Sequence, residues 1–253
     1  YFYNVIWVSR IGLFVATGRP FSSSNIHYST DGINFTDTCY QITGVVAWSD
    51  ELGMFSGQAY SRDGKSWTRT SIPAQIIKVG WSPKLRLFSV ITASNANSSY
   101  TTNCYYSYNG TTWTYGSDIK VKIDNVSLDV VPWCTKLNKF VFKGVSNIYS
   151  SSTGITWSNI YNTQVGAGDY YSFYSTNTMW IPELELIVTP GAYSSDGNTW
   201  AIKNVVWVGT LLPGGYQYVA RQTDNCFSPF VWAPQLNKLI CQGPGCSNVN
   251  GTF

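Results

Sequence analysis

Charge, histidine and long apolar runs are all scarce in this sequence. Charged residues make up 11% of the chain and sum to +3, from 16 basic and 13 acidic side chains. With no run of Lys or Arg there is no electrostatic footprint for nucleic acid or anionic lipid, and neither is expected as a partner. No stretch approaches the roughly 20 apolar residues that cross a bilayer, so no membrane insertion is expected. The opening Tyr1-Phe2-Tyr3-Asn4 has neither a Met nor a leader pattern and reads as a mature or trimmed chain. One histidine, His27, and six cysteines without a C-x-x-C pair argue against a zinc or redox motif. No metal and no cofactor are expected.

Apolar residues, at 44%, and 22 glycines supply a core and many turns over 253 residues. A segment with one Trp recurs six times: VIWVSRIGLFVATG, VVAWSDELGMFSG, VGWSPKLRLFSVIT, VPWCTKLNKFVFKG, MWIPELELIVTPG and VWAPQLNKLICQG. Its tryptophans, Trp7, Trp48, Trp81, Trp133, Trp180 and Trp232, are spaced by 41, 33, 52, 47 and 52 residues, a period that suits propeller blades. Each copy reads as two strands around a tight polar turn. A second hairpin follows, in YSTDGINF (28–35), YSRDGKSW (60–67), YSYNGTTW (106–113), SSTGITW (151–157) and YSSDGNTW (193–200). Asp-Gly and Asn-Gly tolerate the positive φ that such turns need. The fold expected is a single all-β domain over 1–253, a six-bladed β-propeller with four antiparallel strands per blade, its blades beginning near the six tryptophans.

The second signature resembles the Asp-box, or bacterial neuraminidase repeat, S-x-D-G-x-x-W. In that family the Asp accepts backbone amides of its own turn and the Trp packs beneath. The resemblance implies this structural role for Asp31, Asp63 and Asp196, with Asn109 and Thr153 as departures from the pattern. A sixth copy is visible only as Asn248-Val249-Asn250-Gly251, before the chain stops at Phe253. One expectation is that Tyr1-Phe2-Tyr3 supplies the outer strand of the last blade, which would otherwise leave an edge unpaired; the other is a natural chain that continues.

In such a blade the first-to-second and third-to-fourth turns share one face, and the longer connections share the other. The connections lengthen along the chain, from 13 residues between box aromatic and next Trp to 32. The two longest insertions, 160–177 and 201–230, carry Asp169, Tyr170, Tyr171, Phe173 and Tyr174, then Trp207, Tyr216, Tyr218, Arg221 and Asp224. Aromatics beside polar groups suit stacking on sugars or packing on a protein partner; they also suit extra core. The repeat tryptophans are expected to be structural.

The resemblance raises sialidase activity, which in the related fold needs an arginine triad, a Tyr–Glu nucleophile pair and an acid Asp on the face away from the boxes. The six arginines are Arg10, Arg19, Arg62, Arg69, Arg86 and Arg221, and no F/Y-R-I-P segment occurs. Arg10, Arg86 and Arg62 fall in turns of the wrong face, as do all three glutamates, Glu51, Glu183 and Glu185. Among Asp118, Asp124, Asp169 and Asp224 nothing selects a glycosidase pair. His27 has no Ser or Cys partner pattern and reads as a strand residue.

Cys39, Cys104, Cys134, Cys226, Cys241 and Cys246 fit disulfides of an oxidising compartment. Cys241 with Cys246 across a hairpin, and Cys104 with Cys134 between blades, are the pairings weighed, leaving Cys39 and Cys226. Sequons at Asn34, Asn97, Asn109, Asn125 and Asn250 would accept glycans in a secretory pathway. The function expected is a secreted, extracellular or cell-surface glycoprotein without catalysis, a recognition or structural module that binds a glycan or an extracellular protein. The ragged C-terminal repeat also fits self-assembly into a surface layer or fibre. The alternatives are a sugar-binding lectin and a glycosidase or polysaccharide lyase.

Overall fold

The computed structural model describes residues 2–18, 25–42, 44–96, 99–119, 128–144, 147–162, 178–189, 192–202, 230–233 and 238–241. Among them the chain is all-β, and its antiparallel sheets follow one another as propeller blades. The first blade is β1 (Phe2–Val8), β2 (Leu13–Gly18), β3 (Asn25–Ser29) and β4 (Thr36–Gln41), hydrogen-bonded in that order. The second is two hairpins, β5 (Val46–Ser49) with β6 (Met54–Gly57) and β7 (Ala59–Tyr60) with β8 (Thr68–Arg69), joined by a bridge from Phe55 to Ser61. The third is β9 (Gln75–Ser82), β10 (Leu87–Ala96), β11 (Ser99–Ser107) and β12 (Thr114–Asp118). It departs from the expected four strands, because β13 (Asp129–Val130) adds a fifth, parallel to β9.

The fourth blade is β14 (Trp133–Cys134), β15 (Lys139–Lys143), β16 (Asn147–Ser151) and β17 (Ser158–Asn162). The fifth is β18 (Met179–Ile181), β19 (Leu186–Thr189), β20 (Ala192–Ser194) and β21 (Ala201–Ile202). Of the sixth repeat the described residues form one hairpin, β22 (Phe230–Ala233) with β23 (Lys238–Cys241). Phe2 pairs with Gly18 inside the first blade, so the N-terminal residues extend that blade's inner strand instead of supplying an outer strand for the last.

Each repeat Trp faces an apolar residue across its hairpin: Trp7 opposite Phe14, Trp48 opposite Phe55, Trp81 opposite Phe88, Trp133 opposite Phe140 and Trp180 opposite Ile187. Opposed residues of an antiparallel pair point to the same side of the sheet, so Trp and Phe cover one face of the blade together. In the second to fifth blades that face packs on the preceding blade. Val46, Phe55, Ala59 and Trp67 of the second blade meet Val8, Leu13, Val15 and Ile26 of the first in one buried cluster. Ile76, Val79, Phe88 and Val90 join Val45 and Ala47, and Trp133, Phe140 and Tyr149 join Ile77, Leu87 and Ile91. Ile187 and Trp200 likewise meet Val141 and Ile148. Burying a Phe or Ile in this way contributes about 1.5–3 kcal/mol apiece, which stacks the blades side by side.

The inner-hairpin turns and the S-x-D-G turns share one face, since Arg62 Nη1 donates to the Leu52 carbonyl at 2.8 Å. Turn reaches turn between blades as well. Arg10 Nη1 donates to the Asp50 carbonyl at 2.6 Å, Trp81 Nε1 to Glu51 at 2.7 Å and Lys84 Nζ to Asn138 at 2.8 Å, and Lys136 pairs with Glu185. Four successive junctions are each stitched by a polar contact on this face.

Candidate functional site

Five turns of the second signature share one internal geometry. In the first, Ser29 Oγ donates to Asp31 Oδ1, the Gly32 N–H donates back to Ser29 Oγ, and the amides of Ile33 and Asn34 both donate to Asp31 Oδ1 at 2.8 Å. Asp63 accepts from Lys65 and Ser66, and Asp196 from Asn198 and Thr199. Asn109 takes the same amides at 3.0 and 2.9 Å through its side-chain oxygen, whereas Thr153 takes them at 3.2 Å through a hydroxyl. Amide donors stabilise the carboxylate form, so Asp31 lies well below the ordinary carboxylate range through the N–H groups of Asn34 and Ile33. Asp196 is depressed by the Thr199 hydroxyl and then by the Asn198 and Thr199 amides. Partial burial opposes the effect at Asp63, yet the Ser66 and Lys65 amides hold it at about 2. These carboxylates are used up inside their turns.

A second constellation lies at the inner strands of blades three to five. Lys78 stands in β9 between Ile77 and Val79, with its neighbour Asp129 supplied by β13 in direct register and joined to it by an ion pair. The N–H of Val131 extends the pairing, donating to the Val79 carbonyl at 2.7 Å. Lys143, at the end of β15 furthest from the turn face, is fully buried, and its backbone N–H donates to Thr178 Oγ1 at 3.0 Å at the entry to the fifth blade. Burial lowers the Lys78 ammonium, opposed by Asp129. Burial, with the field of Lys78 second, brings Lys143 down to about 7. The chemistry present is one ion pair and one buried amine held well below the usual lysine range, and β13, which supplies Asp129, also contacts β1.

Sequence reasoning passed over Lys78, Asp129 and Lys143. The available signal was a lone lysine inside an otherwise apolar strand, in Ile76-Ile77-Lys78-Val79 and Phe140-Val141-Phe142-Lys143, where the β alternation turns it inward. The loop-face residues Asp169, Tyr170, Tyr171, Phe173, Tyr174, Trp207, Tyr216, Tyr218, Arg221 and Asp224 lie outside the described residues, as do Asn97, Asn125, Asn250, Cys226 and Cys246. Asp118 is exposed and accepts the Tyr115 hydroxyl at 2.6 Å, which pushes that phenol up. His27 is a buried strand residue whose ring meets Phe2 edge-on.

Cys104 and Cys134 are free thiols, and the link considered between them is not formed. Cys104 is buried at the junction of blades three and four, and Cys134 at that of blades four and five. Burial raises both thiols, Cys134 to about 12. Cys39 is exposed and free, its backbone held at φ 58° in β4. Among the described residues no group of three His, Cys, Asp or Glu side chains could hold a metal ion. The described sequons, Asn34 and Asn109, are exposed members of the S-x-D-G turns, and Asn34 Nδ2 donates to Asp31 Oδ2 at 2.7 Å.

No protein-family model matches this chain. No curated protein matches it either. Among solved structures it is similar to a chain of a nidogen/laminin complex, at 12% identity over 75% of this chain and 76% of that one, with a TM-score of 0.48. It is also similar to a glycosyl hydrolase from Bacteroides ovatus, at 15% identity over 76% of this chain and 59% of that one, with a TM-score of 0.38.

Proposed function

We propose that this chain is a non-catalytic Asp-box propeller of the extracellular space or cell surface, which presents its loop-rich face to a glycan or protein ligand. The observation that carries the reading is the difference between the two faces. On the turn face, short turns are bonded within themselves and to their neighbours, through Arg10 and Asp50, Glu51 and Trp81, Lys84 and Asn138, and Lys136 and Glu185. Polar groups so engaged brace the blades and are poorly placed to bind anything else. Sugars on Asn34 and Asn109 would clothe this same face and leave the opposite one to a partner. The connections expected on that opposite side carry the length variation of the sequence, as binding loops do on rigid scaffolds.

The glutamates support the same reading. Glu51 is engaged with Trp81, Glu185 with Lys136, and Glu183 sits in the same turn as Glu185. A Tyr nucleophile on the loop face would find none of them in reach. The test is a glycan array probed with the natively glycosylated protein, followed by incubation of any hit with fresh protein and chromatography of the sugar. Saturable binding with the glycan recovered intact is the expected outcome. Shortened or unsaturated products would overturn the reading in favour of a glycosidase or lyase.

A further inference from the structure

We propose that the outer rim of the third blade is a binding subsite for a neutral hexopyranose, built from Asn103, Tyr105, Tyr115 and Asp118. The inference rests on the glycan branch of the function proposed above and gives it a place and a sugar class. Residues three apart on a regular strand point to opposite faces, but β12 carries a bulge. Cys104 pairs with Ser117 and Tyr105 with Tyr115, so Gly116 is the extra residue. Tyr115 and Asp118 therefore come to one face, paired across the strands with Tyr105 and Asn103. On the other face Ser117 Oγ donates to the Ile155 carbonyl of the fourth blade at 2.8 Å, and a Cβ on Gly116 would stand 2.9 Å from that same oxygen. The strand is clamped from behind and its front is free.

That front looks toward the second blade, because Tyr105 packs with Val79, Phe88 and Val90 against Val45 and Ala47. The second blade does not reach far enough to cover it. Its outer strand β8 stops at Arg69, two residues past Trp67, whereas β12 runs to Asp118, five past Trp113. Among the junctions of the first five blades, this is the one where a long outer strand follows a short one. Tyr115 is accordingly 49% exposed, and Asp118 is exposed beside it.

The group is organised in advance of any ligand. The Tyr115 hydroxyl donates to Asp118 Oδ1 at 2.6 Å, and the Asn103 side-chain amide donates to the same oxygen at 2.9 Å. The second carboxylate oxygen, Oδ2, is left as an acceptor. Tyr105 meets Tyr115 in a T-shaped contact, centroids 5.6 Å apart and planes at 82°, which occupies at most one face of the Tyr115 ring. A pyranose can lay its C–H face on the open side of that ring and donate a hydroxyl to Asp118. Fixing the ring beforehand cuts the ordering cost of binding. The one charged member of the group is an anion, which selects neutral sugars against acidic ones. Counted from the box aromatic, the place of Tyr115 is held by Asp37, Arg69, Asn159 and Ile202 in the other blades, so the subsite belongs to this blade and is not repeated.

Saturation-transfer difference NMR of the full-length chain tests the assignment, with lactose, maltose and methyl α-mannoside as neutral probes and N-acetylneuraminic and glucuronic acids as acidic ones. Saturable transfer to the ring C–H protons of at least one neutral probe, and none to the acids, is expected. Tyr115→Ala should weaken that binding by about tenfold, while Tyr115→Trp, which keeps a platform, should retain it. Asp118→Asn, an exposed change of the same shape, should weaken it by about threefold and reads the site even if Tyr115→Ala does not fold. Neutral-sugar binding that the folded variants leave unchanged would overturn the subsite and spare the glycan reading. No transfer from the wild type to any neutral probe, or transfer to the acids alone, would overturn the subsite as well, and the glycan array then decides the broader reading separately.

Discussion

Ser89 Oγ donates to the carbonyl of Gly154 at 2.6 Å, joining the second strand of the third blade to the turn of the fourth. Ser56 makes the same bond to Gly110 one blade earlier. The turn glycine is therefore an inter-blade contact as well as a turn former. A Cβ on Gly154 would stand 2.7 Å from Leu87 Cδ1 and 3.1 Å from Phe140 Cε2, at a φ of +71° that side chains rarely adopt. Gly154→Ala is expected to destabilise by about 2–4 kcal/mol, the sum of left-handed strain and overpacking. Gly32→Ala meets only the Phe14 ring, at 3.2 Å, and is expected to cost about half as much. Urea denaturation of both variants measures the difference.

Thr153 and Asn109 fill the place that Asp31, Asp63 and Asp196 fill elsewhere. A carboxylate in that place accepts the same two amides by charge-assisted bonds. Thr153→Asp is expected to stabilise by about 1 kcal/mol and Asn109→Asp by somewhat less, because Asn109 already accepts at the shorter distances. The two sites lie in different blades, so the double variant should show the sum.

Acid should act through the same turns. The carboxyls of Asp31, Asp63 and Asp196 are all held below the ordinary carboxylate range in the folded state. Their contribution is therefore fully present above the unfolded pKa and is lost as pH falls through the folded one, about 2 for Asp63. Thermal midpoints of the wild type should drop between pH 4 and pH 2, on the order of the window these shifts define. The triple variant with Asp→Asn at the three positions should be less stable at pH 6 and much flatter across that window.

Lys143 predicts a slope of the opposite kind. Its folded-state pKa is lowered from 10.5 to about 7, so the folded state favours the neutral amine. The resulting penalty is absent above the unfolded value, grows as pH falls, and is complete below about 7. Lys143→Met should gain on the wild type by a few kcal/mol between about pH 10 and pH 7, then run parallel to it. Denaturant titrations across that range read the difference directly.

Much of this architecture was legible from residue order alone. Period-two alternation around Trp7, Trp48, Trp81, Trp133, Trp180 and Trp232 dictates the inner hairpins, and the turns at Asp31, Asp63, Asn109, Thr153 and Asp196 dictate the outer hairpins of the first five repeats, because those rules operate within a few residues. The three-dimensional arrangement decided what depends on distant partners. Lys78 and Asp129 are 51 residues apart, and nothing local shows that β13 returns to lie beside β9. Cys104 and Cys134 looked pairable until the junctions placed them on opposite sides of the fourth blade. Trp7 has the same local setting as Trp81, yet one is half-exposed and the other packs on its neighbour, because burial is set by what the chain brings alongside and not by the strand itself.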